Sequence, residues 1–238
     1  MKRMSNSYFS LKRFTIHQDR CAMKVGTDGV LLGAWAPIEG VRRILDVGTG
    51  TGVIALQLAQ RCAEATLTAI EIDKDAAAQA SDNVNRSPWV NRIEVVCCDF
   101  RDFYPEGKFD LIVSNPPYFV DALRCPDTQR NLARHTDSLN YELLFSRSKD
   151  MLETTGQIAV VIPGDMEKNV IDAAWKNKLY PQHCTKVYTK PGKPYKRILL
   201  TFGPRLSMCE EDTLYIEDAH HRYTPEYEAL TRDFYLKM

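Results

Sequence analysis

The stretch Arg43-Ile44-Leu45-Asp46-Val47-Gly48-Thr49-Gly50-Thr51-Gly52 decides the fold of this 238-residue chain. Arg43 to Val47 reads as a buried-type strand, and the three alternating glycines precede a helical pattern over residues 53–61. Glycines in a strand-to-helix turn bring backbone close to a ligand, with helix-terminal N–H groups pointing at it. The pattern repeats outward from this unit. A strand over 66–70 ends in Glu71-Ile72-Asp73, and Asp73 caps an alanine-rich helix to about residue 85. Strands over 92–96 and 109–113 lead to Asp99 and to Asn115.

Alternation at this spacing predicts an α/β fold, a mostly parallel sheet with helices on both faces. A helix over 141–152, a strand over 157–162 and a helix over 166–175 continue it. The segments 183–188 and 197–202 are joined only by a turn at Lys190-Pro191-Gly192-Lys193-Pro194, so they must pair antiparallel, because a parallel crossover needs a dozen or more residues. The expectation is a seven-stranded Rossmann-like sheet ending in an antiparallel C-terminal hairpin. Upstream, Thr27 or Asp28 is positioned to cap a helix through Val30, Leu31, Leu32 and Trp35. Residues 1–40 therefore read as an N-terminal arm and accessory helix packing on a main domain, 41–238. Residues 1–13 read as a frayed basic arm or an arm that touches nucleic acid, and the tail, extended over 212–216 and helical over 226–235, as docked on the core.

Lys plus Arg equals Asp plus Glu at 31 each, so any basic surface must be local. Seven cysteines without a CxxC pair argue against a disulfide framework or a zinc site and for reduced thiols. With no signal-like segment and no run of transmembrane length, the chain reads as cytoplasmic, with no membrane partner and no metal.

Asp46, Gly48, Gly50, Gly52, Glu71 and Asp99 fall at the ends of successive strands, where such sheets bind ligands. Glu71 stands 19 residues after Gly52, near the spacing at which a carboxylate reaches ribose hydroxyls. An acidic residue beside the glycine turn is a poor neighbour for pyrophosphate but suits the cationic sulfonium of S-adenosylmethionine. Asn115-Pro116-Pro117-Tyr118 then offers acceptors: two prolines remove backbone donors, the Asn115 amide oxygen and the adjacent carbonyls can receive the hydrogens of a flat amino group, and Tyr118 can stack on it. The residues 119–140 read as a substrate lid. The hairpin tip carries Lys186, Lys190, Lys193, Lys196 and Arg197, readable either as edge protection or as a phosphate contact.

Asp46 to Gly52 resembles motif I of class I S-adenosylmethionine methyltransferases. Asn115-Pro116-Pro117-Tyr118 resembles the tetrapeptide of those that methylate a planar nitrogen, either adenine N6 or a glutamine side chain in release factors. The segments Met23 to Gly29, Ala133-Arg134-His135-Thr136 and Tyr223-Thr224-Pro225-Glu226-Tyr227 resemble the bacterial tRNA1(Val) (adenine(37)-N6)-methyltransferase family. The resemblance implies a class I methyltransferase fold, S-adenosylmethionine as cofactor and tRNA as partner, with the enzyme acting as a monomer. It implies a catalytic set of Asn115, Pro116, Pro117 and Tyr118, and a cofactor set of Lys24, Thr27, Asp28, Asp46, Gly48, Gly50, Gly52, Glu71, Asp99 and Asn115. Arg134, His135, Lys190, Lys193, Lys196 and Arg197 are the expected RNA contacts. A glutamine methyltransferase and a non-catalytic cofactor- or RNA-binding module are the competing readings.

Overall fold

The computed structural model describes residues 6–116 and 139–238, and its centre is an eight-stranded sheet. Strand β1 (Tyr8–Ser10) and β2 (Thr15–His17) form a separate antiparallel hairpin ahead of helix α1 (Thr27–Trp35). The main sheet is entered at β3 (Arg43–Val47), followed by α2 (Val53–Arg61), β4 (Thr66–Glu71), α3 (Lys74–Asn85), β5 (Ile93–Cys97) and β6 (Phe109–Ser114). Helix α4 (Tyr141–Met151), β7 (Leu152–Pro163), α5 (Glu167–Lys176), β8 (Tyr180–Tyr188), β9 (Arg197–Gly203), β10 (Glu210–Tyr215) and α6 (Pro225–Thr231) complete the described elements.

The order across the sheet is β10-β8-β9-β7-β6-β3-β4-β5, with β9 antiparallel to both neighbours and the other pairs parallel. The hairpin geometry inferred from the short connection holds. The tail supplies more than a docked segment: β10 adds to β8 as an eighth strand. Because β8 and β10 run with the parallel strands, their ends, the start of β9 and the ends of β3 to β6 all lie along one edge.

Alternation along β3 divides the core. Ile44 packs on the face covered by α1 and α2, while Leu45 and Val47 pack on the face covered by α4 and α5 with Leu144, Phe145, Ile158 and Val170. Asp46 therefore points to the α2 side and is fully buried there.

Within the described residues, the segment 6–13 is docked rather than frayed. The Lys12 ammonium donates to the carbonyls of Arg232 and Met238, tying the β1–β2 turn to the C-terminal tail. Helix α1 begins at Thr27 with Gly26 at its N-cap and no side-chain cap, so neither Thr27 nor Asp28 plays the capping role read from the sequence. Asn83 of α3, 1% exposed, receives the His17 amide at 2.9 Å and donates to the carbonyls of His17 at 2.8 Å and Thr51 at 2.9 Å. One buried amide thus clamps β2 to the glycine turn. Asn83→Ala should strip partners from three backbone groups and cost about 2–4 kcal/mol. Urea unfolding measures this, and a change within about 0.5 kcal/mol, the size of an ordinary surface substitution, would show that apolar packing alone holds the hairpin.

Candidate cofactor and amine site

The glycine turn is built from left-handed backbone. Gly48, Gly50 and Gly52 have φ of 72°, 55° and 82°, a region that costs any residue with a Cβ. The amides of Gly48 and Thr49 both donate to the Ile70 carbonyl, at 2.9 and 3.0 Å, fastening the turn to the end of β4. Glu71 completes the fastening: its Oε2 accepts the Gly50 amide at 2.9 Å and its Oε1 the Asp73 amide at 3.0 Å. Ser114 Oγ donates to the Val47 carbonyl at 2.9 Å and fixes β6, and hence Asn115, against β3.

These strand ends enclose a cavity of about 380 Å³. Gly48, Gly50, Glu71, Asp99 and Asn115 line it together, as the sequence predicts. Asp99 caps the short turn Phe100–Asp102 by accepting the Arg101 amide at 2.8 Å, and its carboxylate also pairs with the Arg101 guanidinium at 2.6 Å. Those hydrogen bonds hold the Asp99 carboxyl below its ordinary range. Ile72, Phe100, Leu139 and Leu143 add apolar wall.

Other expected residues lie elsewhere. Asp46 and Gly52 are not in the cavity wall, since β3 alternation turns Asp46 under α2 and Gly52 packs against Ala80. Thr49 Oγ1 donates to Asp46 Oδ2 at 2.6 Å, while Oδ1 has no hydrogen-bond partner among the described residues, the Ala55 amide acting on the carboxylate only as a weaker attraction. Asp46 supports the turn from beneath rather than facing a sulfonium. Lys24, Thr27 and Asp28 also stand outside this wall: the Lys24 ammonium donates to the Asn6 carbonyl at 3.2 Å, and Asp28 is ion-paired with Arg197. Arg197, expected on RNA, is thereby engaged within the protein, and Lys186 pairs with Glu211 at 3.6 Å. Lys193 and Lys196 are exposed and Lys190 half-buried at the hairpin tip. Asn115 and Pro116 are described, whereas Pro117, Tyr118, Arg134, His135 and nearly all of the proposed lid lie outside the described residues.

The sequence reading missed Cys21, Ala22, Met23 and Arg101 in the wall. Asn83 and Gln79 of α3 help hold the segment that carries the first three over the cavity, the latter by accepting the Arg20 amide at 3.2 Å. Burial, with Glu71 and Asp73 nearby, pushes the Cys21 thiol up to about 11, so it meets a ligand as a neutral apolar group.

A model of the methyltransferase small domain matches residues 30–177. The tRNA1(Val) (adenine(37)-N6)-methyltransferase of Bacteroides fragilis is 54% identical over 238 residues, covering 99% of this chain and 100% of that protein. The chain belongs to this methyltransferase family. The crystal structure of a predicted O-methyltransferase from Agrobacterium tumefaciens, 21% identical, superposes with a TM-score of 0.67 over 87% of this chain and 96% of that one. A glycopeptide N-methyltransferase solved with S-adenosylmethionine, 11% identical, superposes at 0.57 over 77% and 90%. Both show the shared fold.

The cavity fits S-adenosylmethionine, the cofactor that the sequence leads one to expect. Among the described residues, a Cβ added at Gly48 or Gly50 would meet nothing within 4 Å, so the turn leaves space for a ligand against its backbone. Each Glu71 oxygen accepts one amide and keeps a lone pair for a ribose hydroxyl. The apolar walls suit a flat ring, and the volume falls in the range of small-molecule sites.

Burial raises the Asp46 carboxyl to about 7, against the opposing pull of Thr49 and Ala55. The folded value lies above the unfolded one, so the protonated form stabilises the fold at low pH, and that contribution is lost as pH rises from about 4 through 7. Asp46→Asn should therefore gain stability relative to the parent as pH rises across this window, by roughly 1–4 kcal/mol at pH 8. Chemical unfolding at a series of pH values tests this, and parallel stability curves for the two proteins would refute it.

Proposed function

We propose that this methyltransferase transfers a methyl group from S-adenosylmethionine to the exocyclic N6 of adenine 37 in tRNA1(Val), the activity named for its relative in Bacteroides fragilis. The observation that carries the reading is the presence of Asn115 in the same wall as the glycine turn, Glu71 and Asp99. The cofactor supplies an electrophilic methyl on a sulfonium. The chain supplies position and charge: the Asn115 amide oxygen and the Pro116 carbonyl accept the hydrogens of the amine, whose lone pair is otherwise drawn into the ring, and favour the positive charge that develops on attack. A donor and an acceptor held in line remove much of the barrier, and no strong general base is required. The target base must leave its stack, which costs less in a loop than in a duplex. Tyr118 stacks on it in this reading. A tRNA substrate places the enzyme in the cytoplasm, and we expect a monomer, which light scattering of the purified protein tests.

Labelled S-adenosylmethionine with total tRNA or with a release factor discriminates the substrates. Label should appear in tRNA at adenine N6; label in release factor alone would make the enzyme a glutamine methyltransferase. Asn115→Ala should reduce transfer by at least ~100-fold, the scale of losing one aligned acceptor, with cofactor affinity changed little. Isothermal titration distinguishes this from a cofactor-binding role, because in that case affinity would fall in step with the rate. Glu in place of Lys190 and Lys193 should weaken tRNA binding and lower the slope of log affinity against log salt by about two. An unchanged slope would leave these lysines as protection of the sheet edge.

A further inference from the structure

A second cavity, of about 480 Å³, opens on the same edge of the sheet as the first. Its walls come from the start of α1, the β8–β9 turn, the segment after β10 and the C-terminal tail, and they include Tyr223, Tyr227, Tyr235, Lys196, Arg197 and Glu217. We propose that this cavity takes an unpaired base of the RNA, a neighbour of the target adenine, on the aromatic face of Tyr223. The inference rests on the reading of this enzyme as an RNA methyltransferase and adds to it a separate contact that selects the strand around the target.

Lys196 and Arg197 sit at the start of β9, which is two strands from β6 in the sheet, and Glu217 follows β10, two strands further out. Strands are spaced about 4.8 Å apart, so the cavity spans roughly 10–20 Å along the edge from the strand that delivers Asn115. Only Lys24 separates Met23 of the first cavity wall from Val25 of the second. A strand whose target base enters the first cavity therefore passes the second within a few nucleotides.

Tyr223 is 48% exposed and stands 5.2 Å, centroid to centroid, from the buried Tyr227 ring. Beside it the edge carries further aromatics, with Tyr188 stacked on Tyr215 at 4.9 Å and edge-on to Tyr195 at 5.8 Å. Aromatic faces interleaved with cations are how single-stranded nucleic acid is held without a duplex. Arg197 is balanced by Asp28, and Glu217 Oε2 faces His221 Nδ1 at 3.0 Å, so exposed Lys196 supplies the cation toward a phosphate.

Tyr223 pairs with Glu217 across a short bridge, and the turn between them is closed by Asp218. Asp218 accepts the backbone amides of His220 at 2.7 Å and Arg222 at 3.0 Å and pairs with the Arg222 guanidinium at 2.8 Å. The exposed ring is held in place before RNA arrives, which lowers the entropy lost on stacking.

The test uses the full chain and an anticodon stem-loop RNA carrying the target adenine. Tyr223→Ala should raise the RNA KM by about 5- to 100-fold, the range of one lost base stack, while S-adenosylmethionine affinity and thermal midpoint stay at parent values. Tyr223→Trp should restore KM, since a larger π face keeps the stack. Photocrosslinking with 5-bromouridine placed in turn beside the target adenine should join the RNA to the peptide containing Tyr223. An unchanged KM in Tyr223→Ala, failure of Trp to rescue, or crosslinks to this peptide only from stem positions would overturn the assignment of the cavity. Failure of the parent enzyme to methylate any tRNA would instead remove the proposed function on which it rests.

Discussion

The carboxylate of Glu71 holds the Gly50 amide, and most of the site follows from that bond. A turn with three left-handed glycines has little reason of its own to stay folded, because each glycine gives up much backbone freedom. It is held from β4 by the Ile70 carbonyl and Glu71, from beneath by the Thr49–Asp46 hydrogen bond, and from α3 by Asn83 on the Thr51 carbonyl. Held in this way, it leaves empty space above Gly48 and Gly50 and keeps Glu71 at the cavity wall.

The same fastening recruits the N-terminal segment. Asn83 spans the glycine turn and β2, so the residues after β2 are drawn over the cavity and Cys21 to Met23 become part of its wall. Lys12 reaches the last residues of the tail, and the tail in turn builds the second cavity with the hairpin tip. Segments distant in sequence thus meet along the one sheet edge where both cavities open.

The strand-turn-helix unit at Arg43 was legible to the residue, because burial and glycine placement agree there. Glu71, Asp99 and Asn115 were legible for the same reason: each follows a strand whose direction the alternation fixes. Asp46 was read to the right strand end but as a crevice-lining residue, and which face α2 covers turns it beneath the turn instead. Thr27, Asp28 and Arg197 were read as contacts of separate sites, whereas Thr27 and Arg197 line the second cavity together and an ion pair joins Asp28 to Arg197 across much of the chain.

By itself the sequence determined the α/β class, the strand directions, the acceptor tetrapeptide at the tip of β6 and the methyltransferase family, because these depend on local period, turn chemistry and motif. Tertiary structure alone decided that β10 would extend the sheet, that Cys21 to Met23 would wall the cofactor cavity and that Tyr223 would stand beside Lys196 at a second opening. Those outcomes depend on contacts between segments far apart in the chain. Periodicity carries no record of such pairings, and only the packed core settles which distant partners each side chain meets.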